Sequence, residues 1–135
     1  MLVNGLNPGN YYSKKEIEEI FNTKFGYSIK GITLRRWEDN TPYTIIFSRN
    51  NGPYSDYFDG NILLYDGEGL NQNQKLTVAN KAVIDSNKNN RLIFGFRQEN
   101  SKKKWKYLGI LKLLSYEYKL KDGFKKYEFR FEVSD

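Results

Sequence analysis

Tyr54-Ser55-Asp56-Tyr57-Phe58-Asp59-Gly60-Asn61-Ile62-Leu63-Leu64-Tyr65-Asp66-Gly67-Glu68-Gly69 is the densest stretch of the chain: three Tyr, four carboxylates and three Gly in 16 residues. Asn61 to Tyr65 is short and apolar, a buried strand that Asp66-Gly67 closes. Strands rarely carry so many acids, so some of them face a loop or a cleft. Three readings fit. Tyr rings and a carboxylate acceptor suit a flipped-out nucleobase, which stacks on aromatics and donates from its exocyclic amine. Asp56, Asp59 and Glu68, with Asp66, are hard oxygen ligands for a divalent metal and would serve a metal-dependent nuclease. A Tyr-rich turn with solvated acids is the third.

Upstream of this stretch, Ser13-Lys14-Lys15-Glu16 has capping-box spacing, and Ile17, Ile20 and Phe21 follow on one helical face. The spacing predicts a short helix over about 13–22. Residues 31–34 and 43–47 read as strands, and Asn50-Asn51-Gly52-Pro53 as a turn. Downstream, Leu76, Ala79, Asn80 and Val83 share a face, predicting a helix over about 75–86 with Thr77 as a cap in its first turn. Residues 91–97 form a strand, and 98–104 a Lys-rich loop. Residues 105–120 are long and β-prone, with Gly109 marking a bulge or bend. Asp122-Gly123 is a hairpin turn, and Tyr127 to Val133 alternates cleanly. Many short strands with two helices predict an α+β fold, a curled sheet or open barrel flanked by the helices, in one domain over 1–135.

The 135 residues suffice for one core. The chain has 39% hydrophobic residues and 16% aromatic ones, and that aromatic content argues for a folded chain rather than a disordered one. No Cys and no His occur. That excludes disulfides, thiolate zinc sites, Cys nucleophiles and every His-based triad or nuclease. No apolar run reaches membrane-span length, and Met1-Leu2-Val3 runs straight into Asn4 and Gly5 without a leader pattern. Together with the lack of Cys, this fits a cytoplasmic protein. No phosphate-binding G-x-x-x-x-G-K loop is present, no cofactor motif is found, and no acid-x-Lys run of the restriction-nuclease type occurs. Glu99-Asn100-Ser101-Lys102 is one residue too long for such a run. The net charge is +6, unevenly spread. Residues 1–74 hold 7 basic and 9 acidic side chains, and residues 75–135 hold 15 and 7. A basic half suits a polyanion such as nucleic acid.

The middle and end resemble the SRA (SET and RING-associated) or YDG domain family, which reads modified cytosine in DNA. Tyr54-x-Asp56 followed by Asp59-Gly60-Asn61 is similar to that family's Tyr-x-Asp-Asp-x-Asp-x-Gly segment. Tyr65-Asp66-Gly67-Glu68-Gly69 is similar to its Tyr-Thr/Asp-Gly-x-Gly turn. Gln74-Lys75-Leu76-Thr77-x-x-Asn80-x-Ala82 is similar to its Gln-x-Leu-Thr-x-x-Asn-x-Ala helix start. Tyr107-Leu108-Gly109 and Phe129-Arg130-Phe131 follow in order, and Asn7-Pro8-Gly9 and Gly31-Ile32 match the opening more loosely.

The resemblance implies a non-catalytic reader that flips 5-methylcytosine or 5-hydroxymethylcytosine out of a duplex. Tyr54 and Tyr65 match the stacking positions. An Asp of the first segment accepts from the cytosine amine, and because this segment is one residue shorter, Asp56 is the first choice and Asp59 the second. Gly67, Gly69 and Thr77 complete the expected pocket. Lys75, Arg97, Lys102, Lys103, Lys104 and Lys106 are the expected phosphate contacts. Trp105 is expected in the core. Prokaryotic members are usually specificity modules of modification-dependent restriction systems, so a nuclease or helicase domain or subunit is the implied partner. The origin is then prokaryotic or phage. The short Gly69–Gln74 loop leaves discrimination of hemimodified from fully modified sites open. A third possibility is an interaction domain that has lost DNA binding.

Overall fold

The computed structural model describes residues 3–49, 56–99 and 103–134. Ser13 caps the first helix, α1 (Lys14–Phe21), through the expected reciprocal bonds with Glu16. Eight strands make one mixed sheet: β1 (Tyr11–Tyr12), β2 (Ile32–Arg36), β3 (Pro42–Arg49), β4 (Tyr57–Asp59), β5 (Ile62–Asp66), β6 (Leu92–Gln98), β7 (Trp105–Lys121) and β8 (Phe124–Ser134). Their order is β2-β3-β6-β7-β8-β5-β4, with β1 added to β7. Only β3 and β6 run parallel, and all other pairs are antiparallel. The second helix, α2 (Val78–Ile84), supplies the crossover before β6.

Alternation along the strands gives the sheet two apolar faces. Tyr43, Ile45 and Phe47 of β3 point with Phe94 and Phe96 to one side, where Ile17 and Phe21 of α1 cover them. Ile46 points with Ile93, Leu63, Tyr65, Phe129 and Phe131 to the other, where Ala79 and Val83 of α2 cover them. Trp105 is buried in the first of these cores, as expected. The open, curled sheet with two helices is the expected architecture, and no helix among the described residues is long and apolar enough to cross a membrane.

Several boundaries differ from the sequence reading. The two-residue β1 and three-residue β4 carry no strand-length periodicity to detect. Helix α2 begins after Thr77, not at residue 75, because the Lys75 carbonyl accepts from the Thr77 N–H and the Asn80 side chain. Thr77 caps the helix by accepting from the Asn80 N–H. The sheet register slips between Gly95 and Phe96, opposite Gly109 and Tyr107, and Gly109 has φ +110°. A second slip lies at Leu113/Ser115. It keeps Tyr116 and Tyr118 on the same side as Phe129 and Tyr127, their cross-strand partners. Asp122 and Gly123 both have positive φ, 55° and 87°, the geometry of a two-residue hairpin turn. The expected turn at residues 50–53 lies outside the described residues.

Candidate nucleic-acid interface

Strand register gathers the polar residues at one edge of the sheet. Ser48 of β3 pairs with Arg97 of β6, and Arg97 pairs with Lys106 of β7. The Gly31 carbonyl accepts from the Phe47 N–H, which brings the segment before β2 to the same edge. The Tyr65 hydroxyl donates to the Phe47 carbonyl at 3.1 Å. A Cβ on Gly31 would lie 2.6 Å from that hydroxyl, so only Gly lets the ring tuck in. Tyr65 is 3% exposed. It packs against Phe131 and also lines a cavity of about 200 Å³ with Lys30, Gly31, Ile32, Asp66, Gly67 and Glu68.

Asp56, immediately before β4, is bonded to the backbone of Asp66, one of the cavity's lining residues. Its Oδ1 accepts from the Asp66 N–H at 3.0 Å and its Oδ2 from the Ser48 hydroxyl at 3.0 Å. Two donors leave a carboxylate with acceptor capacity for a third. Burial pushes the Asp56 carboxyl up to about 6, with the neighbouring Asp66 charge adding to it. The Asp66 N–H, Ser48 and Arg97 oppose that rise. The Asp66 carboxylate is itself buried and engaged in an ion network. Lys121 donates to it at 2.6 Å and to Glu128 at 3.1 Å, and Lys119 bonds Glu128 at 3.0 Å. Burial works against the Lys121 charge, but the bond to Asp66 carries its pKa above the usual lysine range. Burial likewise works against the Glu128 charge, yet Lys119 and Lys121 hold its carboxyl below the ordinary value.

The turn after Tyr65 is pinned from behind. Asn80, fully buried, accepts from the Glu68 N–H and donates to the Glu68 and Lys75 carbonyls. The Gln74 side chain donates to the Gly67 and Gly69 carbonyls and accepts from the Tyr127 N–H. A Cβ on Gly67 would meet Gln74 Oε1 at 2.8 Å and Asn80 Oδ1 at 2.9 Å. The glycine therefore serves packing of the turn as well as the cavity wall. Gly69, with φ +126°, faces Gln74 in the same way.

The expected pocket residues thus separate. Tyr65 and Gly67 line the cavity, and Asp56 is bonded to the backbone of Asp66 between them. Asp59 is exposed at the far end of β4, opposite Ile62, whereas Asp56 is bonded to Ser48 and the Asp66 N–H. Thr77 acts as a helix cap and Gly69 as a turn residue. Tyr54 lies outside the described residues. Among the described residues no three acids gather as a metal site, so Asp56, Asp59 and Glu68 do not assemble the centre that a nuclease needs.

Among the cations, Lys75, Lys103 and Lys104 are exposed and Lys106 is half-buried, while Lys102 lies outside the described residues. Arg97 departs from the expectation. It is 5% exposed, donating to Ser48 at 2.7 Å and Glu99 at 3.0 Å, with its guanidinium 5.2 Å from the Phe58 ring centre. A buried guanidinium with these partners is not a surface phosphate contact. Its sequence neighbourhood is rich in Lys, and charge alone does not reveal burial. Lys30 and Arg49, missed in the sequence, are exposed cations at the same edge, Arg49 lying over Trp105. Lys30 and Glu68 also border a second cavity of about 530 Å³ with Phe25, Arg35 and Val78. Ser48 and Gly31 were missed as well. The one signal in the sequence was a small polar residue closing an otherwise apolar strand.

The fold is shared with solved structures. The SRA domain of SUVH5 bound to fully methylated CG DNA superposes with a TM-score of 0.77 at 21% identity, covering 98% of this chain and 92% of that one. The same domain bound to fully hydroxymethylated CG DNA gives 0.76 at 22% identity, with the same coverage. KRYPTONITE in complex with mCHH DNA gives 0.74 at 21% identity, covering 97% of this chain and 32% of that one. No curated protein matches the sequence. The family model for the ScoMcrA-like SRA domain matches residues 8–131, nearly the whole chain, and the chain belongs to that family.

Proposed function

We propose that this chain is a non-catalytic reader of modified cytosine in double-stranded DNA. It holds the flipped-out base in the cavity beside Tyr65. The observation that carries the reading is Asp56: a carboxylate oriented by two donors, one of them the backbone of Asp66 beside the Tyr65 cavity, with acceptor capacity left for an exocyclic amine. Asp56 accepts from the cytosine amine, Tyr65 supplies a flat face, and Tyr54 is the second stacking candidate. Lys30 borders the cavity, and Arg49, Lys103, Lys104 and Lys106, with Lys75 and Lys102, would contact the phosphates of the strand that delivers the base. Flipping costs a few kcal/mol, and the phosphate contacts and stacking offset it. The SUVH5 domains, bound to methylated and hydroxymethylated DNA, support the same use of this fold.

The family further suggests a specificity module of a modification-dependent restriction system. Cutting would then reside in a nuclease or helicase domain or subunit, in a prokaryotic or phage cytoplasm. The test is binding to duplexes that differ only in one cytosine, unmodified, 5-methylated or 5-hydroxymethylated, with and without magnesium. Preferential binding of a modified duplex, independent of magnesium and without cleavage, is expected. Equal affinity for all three defeats the reading, and magnesium-dependent cleavage would favour the nuclease.

A further inference from the structure

The Arg97 side chain is a cation inside the protein, at a position where a neutral residue would fill the space with less desolvation. Its contacts are directional. Nη1 donates to Ser48 Oγ at 2.7 Å, leaving the Ser48 hydroxyl proton to be donated to Asp56 Oδ2 at 3.0 Å. Nε is held by Glu99 at 3.0 Å, and Phe58 of β4 lies against the guanidinium. The parallel register of β3 and β6 sets Ser48 beside Arg97, and the start of β4 delivers Asp56 to the other side of Ser48. We propose that Arg97 is a positioning residue for base recognition: acting through Ser48, it holds the Asp56 carboxylate as an oriented acceptor between Ser48 and the Asp66 N–H.

This rests on the base-reading role of Asp56 and adds its control. A protonated Asp56 would turn an O–H toward one of its donors or toward the base, weakening the acceptor that an amine needs. Burial, and after it the Asp66 charge, favour that neutral form, while the Asp66 N–H, Ser48 and, after them, Arg97 oppose it. The other charges around it are accounted for. Asp66 from β5 is met by Lys121 from β7, with Lys126 from β8 at 4.0 Å, and Glu99 lies on the far side of Arg97. Residues 50–55 contribute Tyr54 as their one ionisable side chain.

The experiment measures the ratio of affinities for a duplex with one 5-methylcytosine and its unmodified twin from pH 5 to 9. The proteins are the wild type, Arg97→Met, Arg97→Lys and Asp56→Asn. The Asp56 carboxyl is also titrated by carbon NMR in the DNA-free wild type and Arg97 variants. In the wild type the ratio should fall as pH drops through about 6. Arg97→Met should raise that midpoint by about one unit, the lower end for loss of a neighbouring opposite charge. The ratio at pH 6 then drops about fivefold and returns to wild type by pH 8.5. Arg97→Lys should recover most of the midpoint, and the NMR titration should move in step. An unshifted midpoint, or an Arg97→Met loss that raising the pH does not rescue, overturns the inference while leaving Asp56 as the acceptor. A wild type with no preference at any pH, or Asp56→Asn with full preference, overturns the base-reading role instead, whatever the NMR shows for Arg97.

Discussion

Asp56 is held in a state that folding alone would not choose. Its carboxyl is pushed from 3.8 up to about 6, so above pH 6 its charge costs the native state stability. The cost fades as pH falls toward the unfolded value. Two pH units correspond to at most about 3 kcal/mol at neutral pH. Asp56→Asn should therefore melt higher than wild type at pH 8 and lose that advantage near pH 4, while its preference for modified DNA disappears. Paired thermal melts at the two pH values, alongside binding, check both halves. Gly31 makes the complementary case. An added methyl 2.6 Å from the Tyr65 hydroxyl must displace the ring. Gly31→Ala should cost about 1–3 kcal/mol by overpacking and weaken binding of modified DNA more than of plain DNA. Tyr65→Phe, which keeps the ring and loses only the bond to Phe47, should cost about 1 kcal/mol. A calorimetric series over the three proteins separates ring placement from the hydroxyl.

Among elements, the turn between β5 and α2 depends on two side chains, not on its own length. Asn80 and Gln74 together satisfy backbone groups of Gly67, Glu68, Gly69, Lys75 and Tyr127. Asn80→Ala leaves buried donors and acceptors unmatched and should lower stability by about 2–3 kcal/mol. Amide exchange should speed up first at Glu68, whose N–H loses its partner. Protection at Glu68 equal to wild type would contradict this role. The Gln74 to Ala82 motif was legible in the sequence as a resemblance, and Thr77 as a cap, because both are local patterns. What Asn80 holds was not legible, since its partners lie five and twelve residues away. Asp56 and Asp59 were likewise left as first and second choice across a one-residue gap. Asp56 precedes β4 and Asp59 ends it opposite Ile62, placements that a three-residue strand gives no periodicity to read. The hairpin at Asp122-Gly123, the capping box at Ser13 and the alternation of β8 were all visible because turn chemistry and side-chain period act over neighbouring residues.

For the whole molecule, the sequence placed an excess of positive charge in residues 75–135 but not on a particular surface. Folding sorts these cations. Lys119, Lys121 and Lys126 are committed to Asp66, Asp122 and Glu128, and Arg97 is interior, so net charge overstates the cations open to a polyanion. Lys103 and Lys104 remain exposed. Replacing both with Ala should weaken binding to modified and plain duplexes alike and flatten the salt dependence by about 0.9 per lost contact. Fluorescence anisotropy from 50 to 300 mM salt reads that slope, and an unchanged slope would move the phosphate contacts to Lys30 and Arg49. The non-local pairing of β3 with β6 sets Ser48 beside Arg97. No window of sequence contains it, which is why Arg97 read as a surface cation.

The edge where Ser48, Arg97, Lys106 and Gly31 meet has a further consequence. The parts that hold the Asp56 carboxylate, Ser48, Arg97 and the Asp66 N–H, are anchored in paired strands. The segments joining β3 to Asp56 and β6 to β7, residues 50–55 and 99–104, attach to that frame at their ends. Frame and connectors can therefore be varied separately: grafting other sequences between Arg49 and Tyr54, or between Glu99 and Lys103, would retune the preference for bases flanking the target. The acceptor, its orienting serine and the buried arginine behind it would stay as they are.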